Sequence, residues 1–352
     1  MISRRRTRSV NVGNLTIGYG SPIYIQSMAN TPASDIKAGV AQAIQMQKLG
    51  CEIFRFAVPD MSAAKIFSEA KEAGVAMPLV ADIHFDYKIA IESAYAGADK
   101  IRINPGNIGD DGKVKEVVRV CRERGIPIRI GVNSGSLEKS ILAKYGSPTP
   151  EALVESALYH VALLEKFDFY DTVISIKASN AVDMIKANRL LSERCDYPLH
   201  IGVTEAGSVY MGTVKSAVGI GSLLSDGIGD TVRVSLTSHP EKEITAARDI
   251  LSAVGYTKGV TLVSCPTCGR TAIDLISLVS EFEARMSEIT TEKPVKVAIM
   301  GCVVNGPGEA READIGIAGG RGEAILFSHG EIMGKYPESK IIDVLIEKIN
   351  SL

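Results

Sequence analysis

Short β-branched runs alternate with longer stretches of helical periodicity through most of this chain, and that alternation limits the fold more than any other feature. The runs are Ile23–Ala29, Glu52–Val58, Pro78–Ile83, Lys100–Asn104, Pro127–Asn133, Thr172–Ala178, Leu199–Glu205 and Thr231–Leu236. Between them lie helix-like segments such as Ser34–Leu49, Ala63–Ala73, Lys113–Arg124, Glu151–Lys166, Val182–Glu193 and Lys242–Ala253. Parallel strands need long crossover connections, so strand–helix alternation marks the α/β class. Eight such units in about 230 residues match the count and length of a (β/α)8 TIM barrel, and a doubly wound open sheet rarely needs so many. A short hairpin over residues 9–19, turning at Gly13-Asn14, precedes the first unit.

The runs carry a second signal in their period of two. In Lys100-Ile-Arg-Ile-Asn104, Arg102 and Asn104 share one face while Ile101 and Ile103 share the other. Arg129 and Asn133 repeat this in the fifth run, Arg233 and Ser235 in the eighth, and Arg55 sits between Phe54 and Phe56. With the apolar partners against the helices, the polar residues face the barrel axis near its C-terminal mouth, where barrel enzymes keep their chemistry. The inventory there is one-sided. Arg55, Arg102, Arg129, Lys177 and Arg233 are cationic, Asp82 and Glu205 oppose them, and His84, Asn104, Asn133, Thr204 and Ser235 are neutral donors or acceptors. Strand-end salt bridges could satisfy one arginine, but two acids cannot balance five cations. Arginine forks match phosphate oxygens, so an anionic ligand, with diphosphate the natural choice, would supply the missing charge. Asp82-Ile83-His84 reads as half a metal site at most, since no further ligand stands at a matching strand end.

Beyond Leu251 the pattern changes. Gly255–Gly259 reads as a linker. It leads into a short strand, a Cys265-Pro-Thr-Cys268 turn, a helix over Ala272–Met286 and a strand Val295–Met300. A Gly-Pro loop holding Cys302 follows, then strands near Asp314–Ala318 and Glu323–Phe327 and a closing helix Glu338–Ile349. The expected organisation is a barrel over residues 1–256 and a small α+β domain over 257–352. Two thiols at C-x-x-C spacing can grip one metal centre, and Cys302 adds a third from a loop whose backbone can approach a bulky inorganic group. Zinc and an iron–sulfur cluster are both compatible with three thiols. The missing fourth thiol points to an open position, as catalysis needs. Cys268 is placed just before a helix, whose dipole would favour its thiolate. Cys51, Cys121 and Cys195 are scattered singly and read as small buried hydrophobes.

Composition excludes several classes. Six cysteines unevenly spaced in 352 residues are no disulfide framework, and a reducing cytoplasm fits them. A net charge of −2 and the absence of Trp argue against nucleic acid and against an anionic membrane as partner. No run of about 18 apolar residues predicts a transmembrane helix. The basic start, Met1 to Arg8, lacks a following apolar region, so it is no secretory signal and reads as a solvated terminus.

The chain resembles the bacterial, two-domain form of the 4-hydroxy-3-methylbut-2-enyl diphosphate synthase family over essentially its full length. Ser264-Cys-Pro-Thr-Cys-Gly269 and Met300-Gly-Cys-Val-Val-Asn-Gly-Pro-Gly-Glu309 carry the resemblance most specifically. Ala81-Asp-Ile-His-Phe85, Lys100-Ile-Arg-Ile-Asn-Pro-Gly106 and His200-Ile-Gly-Val-Thr-Glu205 also match. The resemblance implies a 4Fe–4S cluster on Cys265, Cys268 and Cys302, with Glu309 as fourth ligand. It implies reductive ring opening of 2-C-methyl-D-erythritol 2,4-cyclodiphosphate, electrons from reduced flavodoxin or ferredoxin, and a head-to-tail homodimer. Arg55, Arg102, Arg129, Lys177 and Arg233, with Asn104, Asn133, Thr204 and Ser235, would then clamp the diphosphate. Glu205, with Asp82 and His84 as alternatives, would deliver a proton to the departing hydroxyl. The competing reading is a redox-inert barrel transferase or aldolase acting on a phosphorylated substrate, with a structural zinc in the tail domain.

Overall fold

A computed structural model describes residues 2–256, 259–291, 293–302 and 312–352. The chain divides into two compact units, Met1–Val254 and Gly255–Leu352. In the first, a hairpin of β1 (Val10–Val12) and β2 (Leu15–Ile17) precedes eight parallel strands. These are β3 (Tyr24–Met28), β4 (Ile53–Ala57), β5 (Leu79–Asp82), β6 (Lys100–Ile103), β7 (Ile128–Asn133), β8 (Thr172–Lys177), β9 (His200–Ile201) and β10 (Thr231–Val232). They hydrogen-bond in the order β8-β7-β6-β5-β4-β3-β10-β9, and a parallel bridge from Ile174 to Leu199 joins β8 to the start of β9 and closes the ring.

Each strand is followed by helix. The helices Tyr87–Tyr95 and Val209–Ser225 complete the set that periodicity outlines. Short polar side chains start several of them: Asp35, Asp86, Asp110, Thr149 and Asn180 each accept a backbone amide of the first turn. The outward strand faces are apolar and bury against these helices. Phe54, Ile101, Ile103, Ile128 and Ile130 are wholly buried, and Phe56 meets Phe67 of the helix Ile66–Glu72 edge to face at 6.0 Å. Branched residues usually fill the interior of such a barrel. Here the axis carries Gln26, Lys100, Arg102, Arg129, Lys177 and His200, all buried.

The arginine-rich start is not a solvated terminus. Arg4 pairs with the buried Asp230 at 2.7 Å, and Arg5 donates to the Ser192 carbonyl at 3.0 Å. Arg8 pairs with Asp196 while its guanidinium lies 4.0 Å from the centre of the Tyr197 ring. The segment is thereby tied to the loops before β9 and β10. A basic run with no apolar neighbours hides this, because its partners lie about 190 and 225 residues away in sequence.

The second unit is a five-stranded mixed sheet ordered β11 (Val260–Ser264), β12 (Val295–Met300), β13 (Ile315–Gly319), β14 (Glu323–Ser328) and β15 (Glu331–Pro337). The first three strands are parallel and the last two add antiparallel. Helices Leu275–Arg285 and Ile341–Ile349 pack Phe282, Leu278, Leu345 and Ile346 on Val297, Ile299, Ile317 and Leu326. The sequence reading misses β15, whose residues are mostly exposed and carry no alternation. Its signal is the two-residue turn: His329 and Gly330 have φ of 48° and 86°, the left-handed pair that a tight hairpin needs. Among the described residues, no helix is long and apolar enough to cross a membrane.

Candidate active site

The strand ends of the barrel open into a cavity of about 250 Å³, lined by Arg55, Asp82, His84, Arg102, Arg129, Asn133, Lys177, Thr204 and Arg233 together with Met28 and Ser175. Nine of the residues expected at the strand ends thus meet in one place. Asn104 lines an adjoining cavity of about 90 Å³ with Asn107, which shares His84, Arg102 and Asn133 with the first. Ser235 is half-buried and lines neither of these cavities. Glu205 also lines neither. It is exposed in the segment between β9 and the helix Val209–Ser225, and its φ of 52° is unusual for a residue with a side chain.

Two glycines make this convergence possible. A Cβ on Gly131 would lie 2.3 Å from Nε of Arg102, so only glycine leaves the guanidinium its place. At Gly202 a Cβ would lie 2.3 Å from the Arg233 carbonyl oxygen, where the chain after β9 runs against the chain after β10.

The cations are held by few counter-charges. Arg102 donates to Asp82 Oδ1 at 2.9 Å, and Arg55 Nε stands 3.7 Å from Asp82 Oδ2. Arg55 also donates to the Met28 sulfur at 2.6 Å and 3.1 Å, and Arg129 to Gln26 Oε1 at 2.9 Å. Arg233 lies 3.7 Å from Glu243, a buried carboxylate on the helix Pro240–Ala253 that also accepts from Ser27 at 2.7 Å. The acid opposing Arg233 is therefore Glu243, and Glu205 makes no ion pair with the cations among the described residues. Burial opposes the charge on Asp82, yet Arg55 and Arg102 outweigh it and hold the carboxyl well below the usual carboxylate range. Burial pulls Arg55 down to about 10 despite Asp82, with Arg233 and Arg102 adding to the effect.

Several of these residues escape sequence reasoning. Lys100 precedes Arg102 by two, so the same period points it inward; it is wholly buried, and its amine has no hydrogen-bond partner among the described residues. Gln26 and Met28 follow that period in β3. Glu243 gives no such sign, because nothing in a helix sequence reports which strand end it will reach.

Asp82 yields a test of this electrostatic frame. Asp82→Asn leaves Arg55 and Arg102 buried without their carboxylate, a loss on the order of 3 kcal/mol. For a barrel of this size that lowers the thermal midpoint by roughly 6–12 °C at pH 7. A carboxyl depressed by folding contributes its stability above the unfolded carboxylate pKa and loses it as pH falls. The gap between wild type and variant therefore narrows below about pH 4 in calorimetry or circular dichroism melts. Equal midpoints at pH 7 would exclude Asp82 as the stabilising counter-charge.

In the second unit, Cys265 and Cys302 are half-buried and Cys268 is exposed. The backbone N–H of Gly301 donates to Cys265 Sγ at 3.2 Å, and the N–H of Ala272 to the Gly301 carbonyl at 2.9 Å, so the two cysteine-bearing segments are stitched together. The helix expected to abut Cys268 starts only at Leu275. Hydrogen bonds from Arg270, first its backbone N–H, lower the Cys268 thiol's affinity for a proton in place of a helix dipole. Cys51 and Cys121 are buried, and burial pushes their thiols up to about 12. Among the described residues, no three His, Cys, Asp or Glu side chains gather closely enough to hold one metal ion. Glu309 lies outside the described residues.

Comparison with known proteins places the chain. The profile of the GcpE TIM-barrel domain matches residues 7–248, and that of the GcpE protein C-terminal domain matches residues 261–351. A 4-hydroxy-3-methylbut-2-en-1-yl diphosphate synthase (flavodoxin) of Clostridium perfringens is 54% identical over 352 residues, covering 100% of both chains. One from Caldicellulosiruptor saccharolyticus is 56% identical over 346 residues, covering 98% of this chain and 99% of that protein. Among solved structures, the type I 3-dehydroquinate dehydratase of Clostridium difficile superposes with a TM-score of 0.51 at 14% identity, over 70% of this chain and 98% of that one. That likeness is one of barrel fold alone.

Proposed function

The chain belongs to the GcpE family of 4-hydroxy-3-methylbut-2-en-1-yl diphosphate synthases, and from that premise we propose how its two units divide the work. The reaction is the reductive ring opening and dehydroxylation of 2-C-methyl-D-erythritol 2,4-cyclodiphosphate to 4-hydroxy-3-methylbut-2-enyl diphosphate in isoprenoid biosynthesis. The observation that carries the site assignment is the barrel mouth itself: four arginines and a lysine line one cavity with a single lining carboxylate, so the site awaits an anion of several charges.

The barrel unit is the substrate domain. Arg55, Arg102, Arg129, Lys177 and Arg233 bind the diphosphate, and Asn133 and Thr204 orient it. Asn104 faces the adjoining cavity, where the polyol hydroxyls fit, and Ser235 stands outside both as a rim contact. The diphosphate also leaves one carbon as the ring opens, so the same cations stabilise the charge that develops there. Three acids compete for delivery of a proton to the departing hydroxyl. Asp82 is a poor donor, because Arg55 and Arg102 keep it ionised. That leaves Glu205 first and His84 second.

The tail unit is the cluster domain, with Cys265, Cys268 and Cys302 as thiolate ligands of a 4Fe–4S cluster and Glu309 as the fourth. The donor set suits the group. Each thiolate of a cubane meets a different iron, so the sulfurs need not converge as ligands of one ion do. The stitched Cys265 and Cys302 segments and the acidified Cys268 thiol support this reading. When bound, the cluster supplies single electrons and a Lewis-acidic iron whose carboxylate ligand is exchangeable. Reduced flavodoxin, named for the relatives, is the proposed donor, with ferredoxin the alternative, and the cytoplasm the proposed compartment.

A head-to-tail homodimer completes the proposal. Helix and strand are antiparallel in each barrel unit, so Pro240–Ala253 ends at the face opposite the mouth, and β11 begins at Val260. So short a connection cannot span the height of a barrel, on the order of 10 extended residues. In the proposed dimer the cluster of one protomer serves the partner's mouth.

Purified without oxygen, the protein is expected to be brown, to contain iron and sulfide, and to convert the cyclodiphosphate when given reduced flavodoxin. A colourless protein with stoichiometric zinc and no turnover would return the redox-inert barrel.

A further inference from the structure

Lys177 ends β8 with its side-chain nitrogen buried in the wall of the mouth, where no hydrogen-bond partner meets it among the described residues. The basic groups whose charge bears on it are Arg233 after β10, Arg55 on β4, Arg129 on β7 and Arg102 on β6, with His200 on β9, while Ser175, Asn133 and Thr204 line the same cavity. The carboxylates nearby are taken: Asp82 by Arg102 and Arg55, Glu243 by Ser27 and Arg233. A buried ammonium without an acceptor, ringed by guanidinium groups, is strongly disfavoured. A guanidinium does not shed its proton in a protein, so the amine is the group that yields.

We propose that binding of the cyclic diphosphate draws one proton into the barrel mouth and that Lys177 holds it. The inference rests on the substrate reading given above and goes beyond it. In the empty mouth Lys177 is a neutral amine, which relieves the repulsion among the arginines. The ligand brings the counter-charge the mouth lacks, and the amine then becomes an ammonium that donates to phosphate oxygens. The burial of Lys177, and after it Arg233 and Arg55, accordingly push its proton affinity well below that of an ordinary lysine. The proton cannot be the ligand's own. Each phosphorus of a cyclic diphosphate carries a single ionisable oxygen, a strong acid that stays ionised at neutral pH. Two other buried groups could compete for the proton. Lys100 is wholly buried without a partner, and His200 holds Thr231 Oγ1 through Nδ1 at 2.8 Å while its Nε2 has none among the described residues. Both lie at the level where β6 and β9 begin, below Lys177 at the C-terminal end of β8.

The test is calorimetric titration of the cyclodiphosphate into the oxidised, full-length protein, in which no electrons are available for turnover. Buffers of different ionisation enthalpy report the protons exchanged. Wild type is expected to take up about one proton per site at pH 8, and because the bound state holds the extra proton, affinity falls as pH rises, by up to about tenfold per unit. Lys177→Arg, whose charge is permanent, should lose both the uptake and the slope. Lys177→Met should bind more weakly, again with no uptake. Wild-type binding without uptake overturns the inference and leaves the substrate reading intact. Uptake that survives both Lys177 variants but vanishes in Lys100→Met or His200→Gln overturns it as well. Failure of wild type to bind the cyclodiphosphate sinks the substrate reading, and this inference with it.

Discussion

Cys302→Ser is expected to leave the protein almost without iron and without detectable turnover, while the barrel still binds the cyclodiphosphate. Two thiolates cannot hold a cubane firmly, and a serine hydroxyl is a harder, far less acidic donor that does not take the place of a thiolate at neutral pH. The fold of the tail unit should survive. Its core is Phe282, Val297, Ile299, Ile317, Leu326 and Leu345, which owe nothing to the cysteine, and Gly301 still reaches Cys265 through its backbone N–H. Iron and sulfide analysis with far-ultraviolet circular dichroism checks both halves of the expectation, and unchanged iron content would remove Cys302 from the ligand set. The same variant tests the dimer. Mixed with an inactive Arg102→Ala chain, it should form heterodimers in which one site carries both defects and the other carries neither. Partial activity then returns. With heterodimers confirmed, no recovery would place the cluster and the mouth of one catalytic site in the same chain.

Glu205→Gln is expected to lower kcat by roughly 10²–10⁴ while leaving the cluster absorption and cyclodiphosphate binding near wild type, as loss of a general acid does. Glutamine keeps the shape and the hydrogen-bonding of the side chain and removes only the transferable proton. The backbone at Glu205 sits in the left-handed region, which costs a residue with a side chain on the order of 1 kcal/mol and persists only where the surroundings impose it. They do so here. The Thr204 N–H is fixed on the Ala178 carbonyl at 3.2 Å, and the Gly207 carbonyl accepts the Thr237 N–H at 2.9 Å, so both flanks are pinned to neighbouring strand ends. Such strain at an exposed acid beside the mouth fits a position set by chemistry rather than by packing. A kcat equal to wild type would move the proton to His84, which is 3.7 Å from Asp82 at the cavity wall.

How much of this was legible beforehand depends on what kind of information each feature carries. Strand–helix alternation, the inward face of Arg55, Arg102, Arg129 and Arg233, and the thiol spacing of Cys265 and Cys268 are local patterns. Periods of two and of 3.6 residues fix them within a single segment, and the sequence by itself determined them. It also determined that cations outnumber acids at the strand ends, which is a matter of counting along those faces.

Periodicity tells which face a side chain takes, but neither its depth along the barrel axis nor its partner across it. Only the tertiary structure paired Ser27 and Arg233 with Glu243, since that carboxylate arrives on a helix more than 200 residues from Ser27. Only it turned Arg4, Arg5 and Arg8 from an apparent solvated tail into ties on the loops before β9 and β10. It set Glu205 apart from the cations by a backbone conformation that no pattern of residue types announces. The physical reason is common to all three. Each depends on where chain segments distant in sequence come to lie once the ring of strands has closed, and a buried charge takes its state from the groups that closure brings beside it.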